Sequence, residues 1–208
     1  LDSVHSGKSV EKEEHLEKKP DRRTRYTRQT IRDTMLHLME EKPFRKITVT
    51  ELCRLAEINR GTFYLHYLDA EDVLDDIIAE LLGETTCAID HIFCPQGECR
   101  TYPFCERIHG NPRYRPLFLD DSVTDKLLEK LGETSKEGYI TFLMQRSRLS
   151  FQEAEALFYF QMNGCLAINR VMLRNQCPDW QRLQQTIDGF IRAGLERYLL
   201  PEEEWTGQ

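Results

Sequence analysis

Six side chains able to hold a nucleic-acid backbone fall within a short stretch of the chain: Thr48, Thr50, Arg60, Thr62, Tyr64 and His66. Phosphate oxygens accept from hydroxyls, from cationic side chains and from the free amides at helix N-termini, so these residue types suit that contact. Arg60 has a second use, because its planar fork matches the two acceptors on the major-groove edge of guanine. Thr62 and Tyr64 suit the sugar–phosphate backbone. Asn59 stands where a helix cap belongs, and Gly61 leaves room for a close backbone approach. Upstream, Arg22, Arg23, Arg25 and Arg28 form a basic arm that would reinforce the same contact.

A second cluster has different chemistry. His91 stands just before, and Cys94, Cys99, Cys105 and His109 within, a poorly patterned segment, Ile92 to Pro116, that holds four prolines, two glycines and three of the seven cysteines. Cys94 and Cys99 do not form a CxxC pair, so neither a zinc ribbon nor a thioredoxin-like site has its usual spacing. His91 and Cys94 are three apart and Cys105 and His109 four apart, so on helices each pair shares a face, with Cys99 between them as a loop ligand. Two readings stand: zinc, another thiophilic metal or a thiol-redox centre, or small buried thiols beside surface histidines. The spacing favours the second, and no cofactor is required. Cys53 and Cys165 read as core residues and Cys177 as a loop residue.

The elements that must position these groups are helical. Arg23–Glu41 places Ile31, Met35, Leu38 and Met39 on one stripe and is followed by Pro43. A short helix starts at Thr48, where Thr48 and Glu51 have capping-box spacing. The turn at Glu57 and Ile58 leads to another short helix from Asn59 to about Leu65. Asp69 opens a fourth, with Glu71 and Asp72 in its favoured acidic first turn. Beyond Pro116 the periodicity predicts helices near Ser122–Leu131 and Glu133–Arg148, then about Ser150–Asn175 and Asp179–Leu200, with Ser150 and Asp179 as caps. No convincing strand and no repeat is present.

Charge is divided unevenly. Residues 18–67 carry 12 Lys/Arg against 6 Asp/Glu, a net of +6, inside a 208-residue chain of formal net charge −7. Residues 1–17 are net −3, and Asp69 onward carries 14 against 24, a net of −10. A basic block in an acidic protein builds a local polyanion site while the rest is repelled from nucleic acid. No apolar run is long enough to span a bilayer, and residues 1–20 lack a signal-peptide core, which leads to a cytoplasmic expectation and free thiols. The sequence offers no nucleophile–base–orienter set, no phosphate-cradling glycine loop and no recognisable pair of catalytic carboxylates. An enzyme is therefore not expected.

Thr48 to Leu74, and above all Gly61-Thr62-Phe63-Tyr64, Tyr67 and Asp69–Leu74, resembles the TetR family of bacterial transcriptional regulators. The match runs from about Thr24 through Leu82. The resemblance implies a DNA-reading helix-turn-helix, a homodimer on a palindromic operator and a variable, ligand-responsive C-terminal domain. One position departs from the pattern: the family usually has a phosphate-contacting Lys where this chain has Ala70. Residues 111–121 look like a segment of the dihydroxyacetone-kinase-activator-like branch of the family.

The fold expected is all-α: an arm over 1–20, a three-helix helix-turn-helix domain over 21–68, and a larger ligand-binding and dimerisation domain over 69–208. An apolar effector would suit Tyr102, Phe104, Phe118, Phe142, Met144, Phe158, Tyr159 and Met162, each of which suits a core equally well. Gly164, Ala167, Gly189, Ala193 and Gly194, with Ile187, Phe190, Ile191 and Leu195, suit a four-helix dimer interface, where small residues let helices approach. The function expected is a dimeric repressor released by a small-molecule effector. Alternatives are an activator or a regulator controlled by a protein partner and, in another class, an all-α enzyme or a metal or thiol-redox sensor using the Cys/His cluster.

Overall fold

The computed structural model describes residues 22–83 and 111–201. Within them lie α1 (Arg22–Glu41), α2 (Val49–Leu55), α3 (Arg60–Tyr64), α4 (Ala70–Leu82), α5 (Arg115–Leu119), α6 (Thr124–Arg146), α7 (Phe151–Arg174) and α8 (Trp180–Glu196). Short 3-10 turns at Phe44–Lys46, Pro112–Tyr114 and Asp121–Val123 join some of them. No strand occurs among the described residues, where one isolated bridge pairs Ser147 with Leu199. The all-α expectation holds.

The caps fall where side-chain chemistry puts them. Asn59 accepts from the Thr62 N–H at 2.7 Å, and Asp69 accepts from the Asp72 N–H at 2.9 Å. Ser150 and Glu153 form a complete capping box. At α2 Thr48 accepts from the Glu51 N–H, and the Glu51 carboxylate pairs chiefly with Lys42, with a weaker backbone bond from Thr48. That ion pair is the stronger use of the carboxylate and ties α2 to the end of α1. Asp179 occupies the cap position of α8 and makes no side-chain cap bond.

Two expected helices prove to be one. α6 runs unbroken through Gly132, because Leu127 and Leu131 on one side and Tyr139, Ile140 and Leu143 on the other are all buried along the same helix. That burial outweighs the ~1 kcal/mol that a mid-helix glycine costs relative to alanine. α8 ends at Glu196 rather than Leu200, whose N–H donates to the Arg146 carbonyl at 2.8 Å.

α4 joins the first helices to the later ones. Val73, Leu74, Ile77, Ile78, Leu81 and Leu82 are all buried, and the helix packs on α1 and on α6. A helix apolar on more than one face must be enclosed on more than one side. The core therefore passes without a break from Ile31 and Leu52 through α4 to Phe158 and Leu195.

Candidate nucleic-acid interface

The positioning helix α2 ends in a tight reversal. Glu57 adopts φ 54°, and the Ile58 N–H donates back to the Cys53 carbonyl at 3.0 Å. This is a Schellman closure with a glutamate in the left-handed position usually given to glycine. Ile58 packs against the core beneath the turn, as its position predicts. Asn59 then caps α3.

α3 is only five residues long, so it is held from outside. Phe63 is fully buried, and Tyr67, just past the helix, is 2% exposed. Their rings meet at a centroid distance of 6.0 Å. With that face anchored, Asn59, Arg60, Gly61 and Tyr64 are exposed, while Thr62 and His66 are half-buried. Arg60 lies along the helix: its Nη2 donates to the Tyr64 hydroxyl at 3.0 Å, and the guanidinium stands 5.8 Å from the Tyr64 ring centre. The phenol hydrogen bond holds the Arg60 guanidinium above its ordinary value. Thr48 and Thr50 are exposed at the start of α2. A Cβ on Gly61 would come within 3.2 Å of the Asn59 Oδ1, so glycine here protects the cap.

The basic arm is redrawn. Arg22, Arg23, Arg25 and Arg28 belong to the first two turns of α1, and the first three are exposed or nearly so. Arg28 instead turns inward, pairing with Asp76 of α4 at 2.9 Å over the face of Tyr67. Asp76 also accepts from the Tyr67 hydroxyl at 2.6 Å and from Arg32 at 3.2 Å. Burial alone would raise the Asp76 pKa; the bonds from Tyr67 and Arg28 and the charge of Arg32 outweigh it and hold it below the ordinary carboxylate value. Burial and the adjacent Asp76 carboxylate push the Tyr67 phenol strongly upward. Residue types and spacing show nothing of this cluster, because its members lie on α1, after α3 and on α4. Arg45, Lys46 and Arg54, exposed beside α2, are further cations that the capping and spacing patterns do not single out.

Elsewhere the expected sites divide. Phe118 and Phe158 are buried in the core, Phe158 against Tyr139. Phe142 and Met162 are half-buried, and Arg146 stands 4.0 Å from the Phe142 ring centre. Met144 and Tyr159 are exposed. Tyr102 and Phe104, with His91, Cys94, Cys99, Cys105 and His109, lie outside the described residues. Between α7 and α8 runs an apolar groove of about 620 Å³, lined by Gly164, Ile187, Phe190, Ile191 and Gly194 among others. Ala167 is exposed on the outer side of α7, whereas Leu195 is buried and belongs to the core. Phe160 and Phe190 are each 72% exposed beside the groove. A Cβ built on Gly164, Gly189 or Gly194 would meet nothing within 4 Å, so their smallness serves no packing among the described residues.

The capped short helix after a tight turn, anchored on α1 and α4 and followed by further packed helices, defines the class: an all-α protein in which α2 and α3 form a helix-turn-helix. No protein-family model matches the chain. Over 87 residues it is 36% identical to an uncharacterized HTH-type transcriptional regulator, YxbF, of Bacillus subtilis strain 168. That match takes in 41% of this chain, which spans 22% of the relative's length. Among solved structures, the fatty acid degradation regulator FadR from Bacillus halodurans superposes with a TM-score of 0.53 at 20% identity, covering 87% of this chain and all of that one. That likeness is one of fold. The dihydroxyacetone kinase operon activator DhaS aligns at a TM-score of 0.49 and 17% identity, over 84% of this chain and 98% of its own. The TetR family repressor AlkX from Dietzia sp. strain DQ12-45-1b aligns at 0.48 and 16%, over 82% and 98%.

Proposed function

We propose that the chain is a sequence-specific DNA-binding transcriptional regulator, acting as a homodimer whose operator affinity is changed by a small-molecule effector. One observation carries this reading above the others. α3 presents Arg60 and Tyr64 outward from a capped start, on a helix held to the core by the buried Phe63, within the +6 segment of an acidic chain. A helix held in this way enters the major groove with its first residues at the base edges, and Arg60 is the residue that reads guanine there. Thr48, Thr50, Tyr64 and the exposed arginines at the start of α1 supply backbone contacts that set register.

The dimer is supported by the face of α7 and α8 that carries Phe160, Phe190 and three glycines whose Cβ positions are open among the described residues. Large exposed apolar surface beside open glycines suits the matching face of a second copy, and a two-fold pair spaces two recognition helices one DNA turn apart. Effector control then follows as a population shift between dimers whose helices match that spacing and dimers whose helices do not.

The test is selection from a random duplex library with the wild-type chain, followed by titration of the Arg60→Ala variant. An approximate palindrome is expected, with binding weakened by ~1–3 kcal/mol and specificity relaxed at a guanine in each half-site. No enrichment, or an Arg60→Ala variant that binds and discriminates like the wild type, overturns the reading.

A further inference from the structure

A five-residue helix takes its orientation from its anchors, and the anchor of α3 is polar as well as apolar. Tyr67 closes the recognition segment with its ring against Phe63. Its hydroxyl donates to Asp76 Oδ2 at 2.6 Å, while Arg28 pairs with Oδ1 of the same carboxylate at 2.9 Å. The Arg28 guanidinium also lies 5.1 Å from the centre of the Tyr67 ring. One arginine thus fixes the plane of the phenol and the acid that holds its end. Arg32 supplies a second cation to Asp76 at 3.2 Å and is itself largely buried.

We propose that Arg28, Arg32 and Asp76 are positioning residues for the recognition helix, acting through Tyr67, and that Arg28 serves there and not as a phosphate ligand. The cluster joins α1, the end of the helix-turn-helix and α4 at one carboxylate, so the angle at which α3 leaves the body depends on it. Half-buried, charge-assisted bonds of this kind hold direction better than apolar contact does, because both the donors and the acceptor are geometrically selective. The same ionic chain continues through Glu80, which faces Arg32 at 3.7 Å and Arg113 at 3.6 Å. Arg113 also pairs with Asp33 at 2.9 Å and brings the start of the C-terminal helices into the network.

This inference rests on the DNA-binding reading for one of its two measurements only. The first is the salt dependence of binding to the duplex that the wild-type chain selects. Arg28→Gln should bind roughly tenfold more weakly, the loss of a charge-assisted hydrogen bond, with the slope of log K against log salt unchanged. A slope shallower by about 0.9 for each phosphate no longer neutralised identifies Arg28 as a phosphate ligand and overturns the proposal. So does unchanged affinity. The second measurement needs no DNA: amide exchange of the full chain carrying Tyr67→Phe, which keeps the buried ring and removes only the hydroxyl. Exchange should rise at residues 60–67 and stay at its wild-type rate at 49–55. Equal exchange at 60–67 overturns the positioning role, and Tyr67→Phe serves equally in the salt titration if Arg28→Gln does not fold. A wild-type chain that selects no duplex defeats the proposed function and leaves the exchange result standing as the test of the cluster.

Discussion

The backbone N–H of Phe44 donates to the Asp120 carboxylate at 2.6 Å, across 76 residues of sequence. Phe44 opens the turn that leads into α2, and Asp120 caps the turn between α5 and α6 by accepting from the Ser122 N–H at 2.9 Å. The next residue, Asp121, receives Arg170 and Arg174 of α7 at 2.8 and 3.2 Å. Two adjacent acids therefore link α7 to the entrance of the helix-turn-helix.

Asp120→Ala removes the bonds from the Phe44 amide and from the Ser122 amide and hydroxyl, and leaves the Phe44 amide without its partner. A charge-assisted bond in a half-buried setting contributes about 1.5–3 kcal/mol. Urea unfolding should show a loss of that size with an unchanged m-value, and Asp120→Asn should recover part of it. A midpoint that does not move refutes the link.

Glu57 sits at φ 54°, where a non-glycine side chain is strained. Glu57→Gly should stabilise the chain by about 0.5–1 kcal/mol, the relief of strain less the greater freedom of glycine when unfolded. Thermal unfolding measures this directly. A lower Tm would show that the glutamate side chain contributes more than its backbone costs.

Phe158 and Phe190 are both phenylalanines of the last two helices, with opposite expectations. Phe158 is 1% exposed, and Phe158→Ala should cost ~3–5 kcal/mol through the cavity it leaves. Phe190→Glu should leave the unfolding of the single chain within about 0.5 kcal/mol and convert dimers to monomers in sedimentation. A Phe190→Glu chain that still sediments as a dimer places the interface elsewhere.

Asp76 gives stability a pH dependence. Its folded pKa is lowered from the ordinary 3.8, so its contribution is complete above that value and is lost as pH falls through the lower folded value. Asp76→Asn should therefore be less stable than the wild type at neutral pH, with the gap closing in acid. A gap that widens as pH falls contradicts the Arg28 and Tyr67 assignments.

Ala70 occupies the first position of α4, half-buried beside the recognition segment. Ala70→Lys should tighten binding to the selected duplex and steepen the salt slope by about 0.9 per new phosphate contact. An unchanged slope means that the position faces no phosphate.

The local parts of this molecule were legible from residue order. Asn59, Asp69 and Ser150 cap their helices because a side-chain oxygen next to free amides needs no distant partner. The stripe of Ile31, Met35 and Leu38 and the burial of α4 follow from helical period alone. The +6 block needs only counting.

Whatever depended on distant partners was decided by the tertiary structure. Glu51 takes Lys42 as its main partner, and α6 runs through Gly132 because burial on both sides carries it. Phe118 and Phe158 become core, while Phe190 faces outward. The largest change is to Arg28. Its neighbours in sequence are arginines suited to phosphate, and the fold turns it onto Asp76 and Tyr67. A helix period assigns a residue to a face, but a charged side chain goes to the strongest counter-charge within reach, and reach is measured in ångströms rather than in residues.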